Sequence, residues 1–123
     1  LDNLKYINDN YGHKIGDKYI KEIARIFNIS TRNGDIVSRI GGDEFAIILP
    51  DTTEDIANKI KKRIIEEVIY FNELELLPKA IEISLGLAIK NDNKEDLNGI
   101  FKIADRKMYM EKNEKKLAMK NKK

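Results

Sequence analysis

The chain has 123 residues, 23 Lys and Arg against 21 Asp and Glu, and 41% hydrophobic content, which suits one buried core and is too little for two domains. It has no cysteine, and so no disulfide frame, thiolate metal site or cysteine nucleophile. No apolar run reaches the roughly 20 residues of a membrane helix, no signal peptide opens the sequence, and the reducing cytoplasm fits this composition. The net charge of +2 is unevenly placed: six Lys and two Glu lie between Glu111 and Lys123, which leaves 17 basic and 19 acidic groups in residues 1–110. A nucleic-acid interface would concentrate positive charge on the folded part, so none is expected.

In chain order, Leu4, Ile7 and Tyr11 recur at helical spacing before Gly12-His13 and Gly16, which read as breakers. Asp17 is placed to cap a second helix whose stripe is Tyr19, Ile20, Ile23, Ala24, Ile26 and Phe27. Asn33-Gly34 marks a turn. Ile36–Ile40 and Phe45–Leu49 then read as a β-hairpin around Gly41-Gly42-Asp43-Glu44. Pro50-Asp51-Thr52 ends it, and Thr52 with Asp55 resembles a capping box for a helix carrying Ile56, Ala57, Ile60, Ile64 and Val68. After Pro78, the alternation of Ile81, Ile83, Leu85, Leu87 and Ile89 predicts a third strand. A loop at Asp92–Lys94 leads to a last helix faced by Leu97, Ile100, Phe101, Ala104 and Met108.

The order α-α-β-β-α-β-α becomes β-α-β-β-α-β if one strand is set in front. The predicted fold is therefore α/β (α+β): a ferredoxin-like βαββαβ sheet, antiparallel strands covered by helices, with its first strand missing from this chain. One domain is expected over residues 1–116, followed by a Lys-rich polar tail over 117–123.

Gly41-Gly42-Asp43-Glu44-Phe45 is the most informative stretch. Two glycines let a ligand approach the backbone without a Cβ in the way. The two acids that follow suit magnesium, which prefers oxygen ligands and takes one or two carboxylates together with substrate phosphates. Gly and Asp are also what any tight turn uses, so the residues alone leave both readings open.

Those five residues spell the signature of the GGDEF family, the diguanylate cyclases. Three further blocks resemble the same family in the same order: Leu4 to His13 with Gly16-Asp17 is similar to its "FKxINDxxGHxxGD" stretch, with Leu4 in place of Phe; Ser84-Leu85-Gly86 resembles its S-x-G strand; Ala104-Asp105 with Tyr109 and Lys112 resembles its last helix. The resemblance implies a nucleotidyl-cyclase-like fold and the condensation of two GTP into cyclic di-GMP, with release of pyrophosphate, in bacterial second-messenger signalling. It implies a homodimer holding one GTP per subunit, Mg2+ or Mn2+ as cofactor, and an upstream sensory or receiver domain.

Residue by residue, Asp43 corresponds to the family's metal carboxylate and Glu44 to a second active-site acid. The Leu1 backbone carbonyl corresponds to a further metal contact. Asn8 and Asp17 match guanine-binding positions, and an amide beside a carboxylate has the donors and acceptors for that edge. Leu4 and Ile20 would pack beside the base, Gly41 and Gly42 would line the nucleotide, and Lys5, Lys112 and Lys116 would bind phosphates. Lys116 stands where the family has Arg, keeping the charge and losing the bidentate fork. Without the resemblance, Asp17 reads as a helix cap, the lysines as solvated surface, and His13 as a hydrogen-bonding residue of the Gly12–Gly16 turn. Arg32-Asn33-Gly34-Asp35 has the R-x-x-D spacing of the family's inhibitory product site, which would bind cyclic di-GMP through Arg32 and Asp35.

The family pattern carries two acids ahead of its first helix. Asp2 matches the second, and the first, a metal ligand on the leading strand, would lie before Leu1. The chain as it stands is therefore expected to be inactive, and a catalytically inactive module that senses GTP or cyclic di-GMP is the alternative function. Cytoplasmic location is expected, with a larger membrane-bound protein as a possible parent.

Overall fold

The computed structural model describes residues 1–88 and 97–121, with four helices and one two-stranded antiparallel sheet among them. Helix α1 (Leu4–Tyr11) starts after Asn3, which adopts the left-handed conformation at φ 63° that Asn tolerates better than most residues. It buries Leu4 and Ile7 and stops at Gly12 (φ 89°), whose N–H donates to the Asn8 carbonyl at 2.9 Å. Helix α2 (His13–Ser30) begins directly after that glycine.

This start corrects two expectations. Gly16 is no breaker: the helix runs through it, and a Cβ there would lie 1.8 Å from Asn8 Oδ1. The missing side chain lets α1 seat against α2, which offsets the intrinsic cost of glycine in a helix, about 1 kcal/mol. Asp17 is then inside α2 and is not its cap; the N-cap is Gly12, without a side-chain bond.

Tyr19, Ile23, Ile26 and Phe27 form the buried stripe of α2. It packs on helix α3 (Glu54–Glu73), which contributes Ala57, Ile60, Ile64, Val68 and Phe71. Full burial of an Ile is worth roughly 1.5–3 kcal/mol, so this interface holds the first half of the chain together. Tyr19 has no exposed surface; its hydroxyl donates to the Lys79 carbonyl at 2.6 Å and accepts from the Lys79 N–H at 2.9 Å. Burial pushes its pKa above the usual tyrosine value.

Strands β1 (Ile36–Arg39) and β2 (Phe45–Ile48) pair antiparallel, with Ile36 opposite Ile48 and Arg39 opposite Phe45. Phe45 meets Phe27 of α2 edge-on, ring centres 5.3 Å apart, which anchors the hairpin at the base of its tip. The cap of α3 is Thr53, one residue later than expected, its Oγ1 accepting from Ile56 N–H at 3.3 Å. The Thr52 hydroxyl is otherwise engaged, donating to the Pro50 carbonyl and accepting from Arg32.

The third strand of the sequence reading does not form over residues 81–88; Ile89 and the Asp92–Lys94 loop lie outside the described residues. Groups outside any ladder hold backbone atoms of this segment. Asn72 accepts from Ile81 N–H at 2.8 Å and donates to Ile81 carbonyl at 3.0 Å, so its amide imitates a strand partner. Glu82 carbonyl accepts from the Asp2 N–H at 2.8 Å, and Glu82 carboxylate accepts from Asn3 Nδ2 at 2.7 Å.

The chain divides into two compact units, Leu1–Glu82 and Ile83–Lys123. In the second, helix α4 (Leu97–Asn121) lies along the 83–88 segment. Glu111 accepts from Leu85 N–H at 2.8 Å, Lys107 donates to the Leu87 carbonyl at 3.1 Å, and Lys115 donates to the Ile83 carbonyl. A Cβ on Gly86 would sit 1.8 Å from the Ala104 carbonyl and 2.5 Å from the Met108 nitrogen. The glycine of Ser84-Leu85-Gly86 is thus a packing requirement. The neighbours are helix backbone and cannot rotate aside, so Gly86→Ala should cost about 1–3 kcal/mol, the usual range for overpacking. Denaturant unfolding that leaves the midpoint unchanged would contradict this contact.

Candidate functional site

The close approach at Gly16 sets one half of the site. Asn8, half-buried on α1, has its amide oxygen against the backbone of Gly16, the residue before Asp17; Leu4 Cδ1 would be 3.5 Å from a Cβ at the same glycine. Asp17 is exposed and engages no other described residue, because α2 begins four residues earlier and does not need it as a cap. Ile20 follows, half-buried, one turn along α2, and Lys5 is exposed on α1. The structure therefore brings Leu4, Asn8 and Asp17 to one helix crossing. His13 is exposed at the start of α2 and makes no contact of the hydrogen-bonding kind expected of it among the described residues.

The other half is the hairpin tip. Ile40 and Gly41 N–H both donate to the Glu44 carbonyl, at 2.8 and 3.3 Å, closing a tight loop with Gly41 and Gly42 exposed. Asp43 and Glu44 are half-buried. The Leu1 nitrogen donates to the Asp43 carbonyl at 3.0 Å, so the backbones of Leu1 and Asp43 are neighbours. Asp2, beside them in sequence, is buried. No group of three or more His, Cys, Asp or Glu side chains that could enclose an ion occurs among the described residues. A set of one or two hard carboxylates fits magnesium, which completes its octahedron with water and substrate phosphates, better than an ion that needs an all-protein cage.

The sequence reading missed Arg39. From the end of β1 its guanidinium donates to the carbonyls of Gly41 and Gly42, at 2.8–3.2 Å. An Arg two residues ahead of a Gly-Gly turn is the only signal for it in the sequence.

Arg32 and Asp35 sit at the opposite end of the hairpin from its tip. Arg32 Nη2 lies 3.1 Å from Asp35 Oδ1 and Nε donates to Oδ2 at 3.2 Å, a forked pair. Nη2 also donates to the Pro50 carbonyl at 3.1 Å and to the Thr52 hydroxyl, tying the turn before β1 to the chain leaving β2. Gly34 supplies the positive φ of 92° that this turn requires. The Asp35 side chain is 2% exposed and that of Arg32 38% exposed, so the arginine keeps an open edge. Lys112 and Lys116 lie one turn apart on α4 in the second unit, half-buried and exposed respectively.

Residues 1–117 match the family model described as "Diguanylate cyclase, GGDEF domain". The chain is 32% identical over 112 residues to a probable diguanylate cyclase, DgcT, of Escherichia coli, with 89% of the chain and 25% of the relative covered. It is 34% identical to diguanylate cyclase A of Treponema denticola (91% and 30%) and 35% identical to diguanylate cyclase DgcM of Escherichia coli (92% and 27%). It thus spans 25–30% of the length of these three relatives. A solved structure of a shortened form of TpbB (YfiN) from Pseudomonas aeruginosa, comprising only the GGDEF domain, superposes with a TM-score of 0.75 at 28% identity, covering 92% of this chain and 67% of that one.

The Arg32 hydrogen bond holds the Asp35 carboxyl below the ordinary aspartate value, against an opposing contribution from burial. A carboxyl with a lowered folded-state pKa adds stability above its unfolded value, near pH ~3.9, and loses it as pH falls through the folded value. Asp35→Asn should therefore be less stable than wild type at neutral pH and converge on it in acid. A gap that stayed constant from pH 7 into the acid range, followed by urea unfolding, would contradict the ion pair.

Proposed function

The chain belongs to the GGDEF diguanylate cyclase family, and from that premise we propose that it is the catalytic domain of an enzyme that condenses two GTP into cyclic di-GMP. The observation that carries this reading is the placement of Asn8 against Gly16, the residue before an exposed Asp17, at the α1–α2 crossing. A carboxylate accepts from the N1–H and amino group of guanine, and an amide both donates and accepts, so the pair suits guanine and rejects adenine. Half-buried Ile20 would offer apolar surface to the base, with the core residue Leu4 packed beneath it on α1. Lys5 faces solvent and is assigned to phosphate; Lys112 and Lys116 take the same role from their place in the family's last helix.

Asp43 and Glu44 are the residues that would hold a divalent cation, magnesium or manganese, and the Leu1 carbonyl is assigned to the same ion by the family resemblance. When bound there, such an ion would supply positive charge to offset that of the phosphates. Each GTP, held by one subunit of a homodimer, presents its 3′-hydroxyl to the α-phosphate of the other. A bond from the 3′-oxygen to phosphorus replaces the α–β anhydride bond, the hydroxyl proton passes to solvent, and pyrophosphate leaves. The protein contributes position and charge and needs no covalent nucleophile. Arg32 and Asp35 are proposed as the site through which cyclic di-GMP feeds back, the exposed edge of Arg32 offering N–H donors to phosphate or guanine.

Among the described residues no helix is long and apolar enough to cross a membrane; membership of the family supports an upstream regulatory domain in the full protein. The reading is tested on the full protein with GTP and magnesium, cyclic di-GMP being measured by chromatography. Asp43→Asn should lower turnover by at least about 100-fold, as expected when transition-state charge loses its stabiliser. Added cyclic di-GMP should inhibit wild type more than Arg32→Ala. Folded wild-type protein that binds GTP and yields no product would overturn the enzymatic reading, and equal inhibition would remove the feedback site.

A further inference from the structure

Helix α3 is sorted twice, by apolarity across its width and by charge along its length. Its buried face is Ala57, Ile60, Ile64, Val68 and Phe71. On another side Lys62, Ile65, Ile69 and Glu73 follow at spacings of three, four and four, and so share one exposed face. Ile65 is 39% exposed and Ile69 54%. A single exposed apolar side chain is ordinary on a protein surface. Two of them one turn apart, with a cation before and an acid after, make a seam.

The charges divide at the middle of the helix. From Glu54 to Arg63 it carries four cations, Lys59, Lys61, Lys62 and Arg63, against two acids, Glu54 and Asp55. From Ile64 to Glu73 it carries Glu66, Glu67 and Glu73 and no cation. A helix C-terminus favours positive charge, yet the last turn of α3 holds no basic residue. Lys62 and Glu73 form no ion pair or hydrogen bond with another described residue.

A second copy laid antiparallel satisfies both patterns at once. With a two-fold axis passing between Ile65 and Ile69, each Ile65 lies opposite the partner's Ile69. Each Lys62 then comes level with the partner's Glu73 to within about one residue, ~1.5 Å of helix rise. A parallel copy would set lysine against lysine and glutamate against glutamate. A foreign helix of one charge would match only one half. We propose that this face of α3 is a self-association surface, an isologous antiparallel contact between two copies of the chain. It needs no nucleotide, and so stands apart from the reaction proposed above. The isoleucines supply the attraction and the ion pairs set the orientation. So narrow a seam makes a weak, transient interface. Glu66 nears its own copy beside the axis, a like-charge approach, so Glu66→Gln should tighten the dimer.

Sedimentation equilibrium of the nucleotide-free chain tests this. Wild type should pass from monomer toward dimer between about 10 μM and 1 mM, the range of weak contacts. Ile69→Asp should raise the dissociation constant at least about tenfold, with helix content by circular dichroism unchanged. Lys62→Glu and Glu73→Lys should each weaken association about three- to tenfold, as expected for two exposed ion pairs. A mixture of these two variants should regain it, since each then meets the charge it lacks. The chain has no cysteine of its own, so disulfide trapping reads the orientation. Oxidation of a mixture of Lys62→Cys and Glu73→Cys with copper phenanthroline should give linked dimers, and Lys62→Cys alone should not. Wild type that stays monomeric throughout would overturn the proposal and leave this face to a different partner. A dimer that Ile69→Asp leaves intact, or Lys62→Cys chains that link to one another, would overturn it as well.

Discussion

Asn8 and Gly16 are packed so closely that a Cβ on residue 16 would stand 1.8 Å from the Asn8 amide oxygen. That contact fixes the crossing of α1 and α2, and with it everything the two helices carry. Leu4 and Ile7 turn into the core, Asn8 is held beside α2, and Asp17 follows on the next residue with its carboxylate in solvent. The contact also explains why α2 begins at His13: with α1 pressed against its first turn, the helix needs the sharp reversal at Gly12, where φ is 89°. Glycine serves two separate purposes within five residues, a turn at 12 and an approach at 16.

The hairpin follows a comparable economy. Its tip is closed by the Glu44 carbonyl from inside the loop and by Arg39 from the strand that precedes it. Its open end is closed by Arg32, which joins Asp35 to Pro50 and Thr52. Phe45 on Phe27 then attaches it to α2. Two arginines thus brace a four-residue ladder that would be marginal alone. One consequence is chemical: the carbonyls of Gly41 and Gly42 are turned toward Arg39.

Apolar periodicity made α2 and α3 legible, because Tyr19, Ile23, Ile26 and Phe27 on one and Ala57, Ile60, Ile64 and Val68 on the other repeat at helical spacing. The hairpin was legible from Gly41-Gly42 between two β-branched runs. Gly16 was misread because a helix-breaking glycine and a packing glycine look alike until the partner helix is known. The alternation from Ile81 to Ile89 expresses burial, which Ile81 and Ile83 do show. It does not say what will pair with the backbone, and Asn72 occupies Ile81. Thr53 displaced Thr52 as cap for a reason that only the tertiary position of Arg32 could supply. The candidate site was legible through its motif, and the contribution of Arg39 was not, since it depends on which way two carbonyls point.

The central claim is that the α1–α2 crossing presents a guanine-reading edge made of Asn8 and Asp17. Isothermal titration of the chain with GTP and with ATP, each with magnesium, tests it most directly when wild type is compared with Asp17→Asn. The account predicts that wild type prefers GTP by at least about tenfold, as a site built to hydrogen-bond its ligand does, and that the substitution removes most of the preference while ATP affinity holds. Equal affinity of the wild-type chain for the two nucleotides would contradict it.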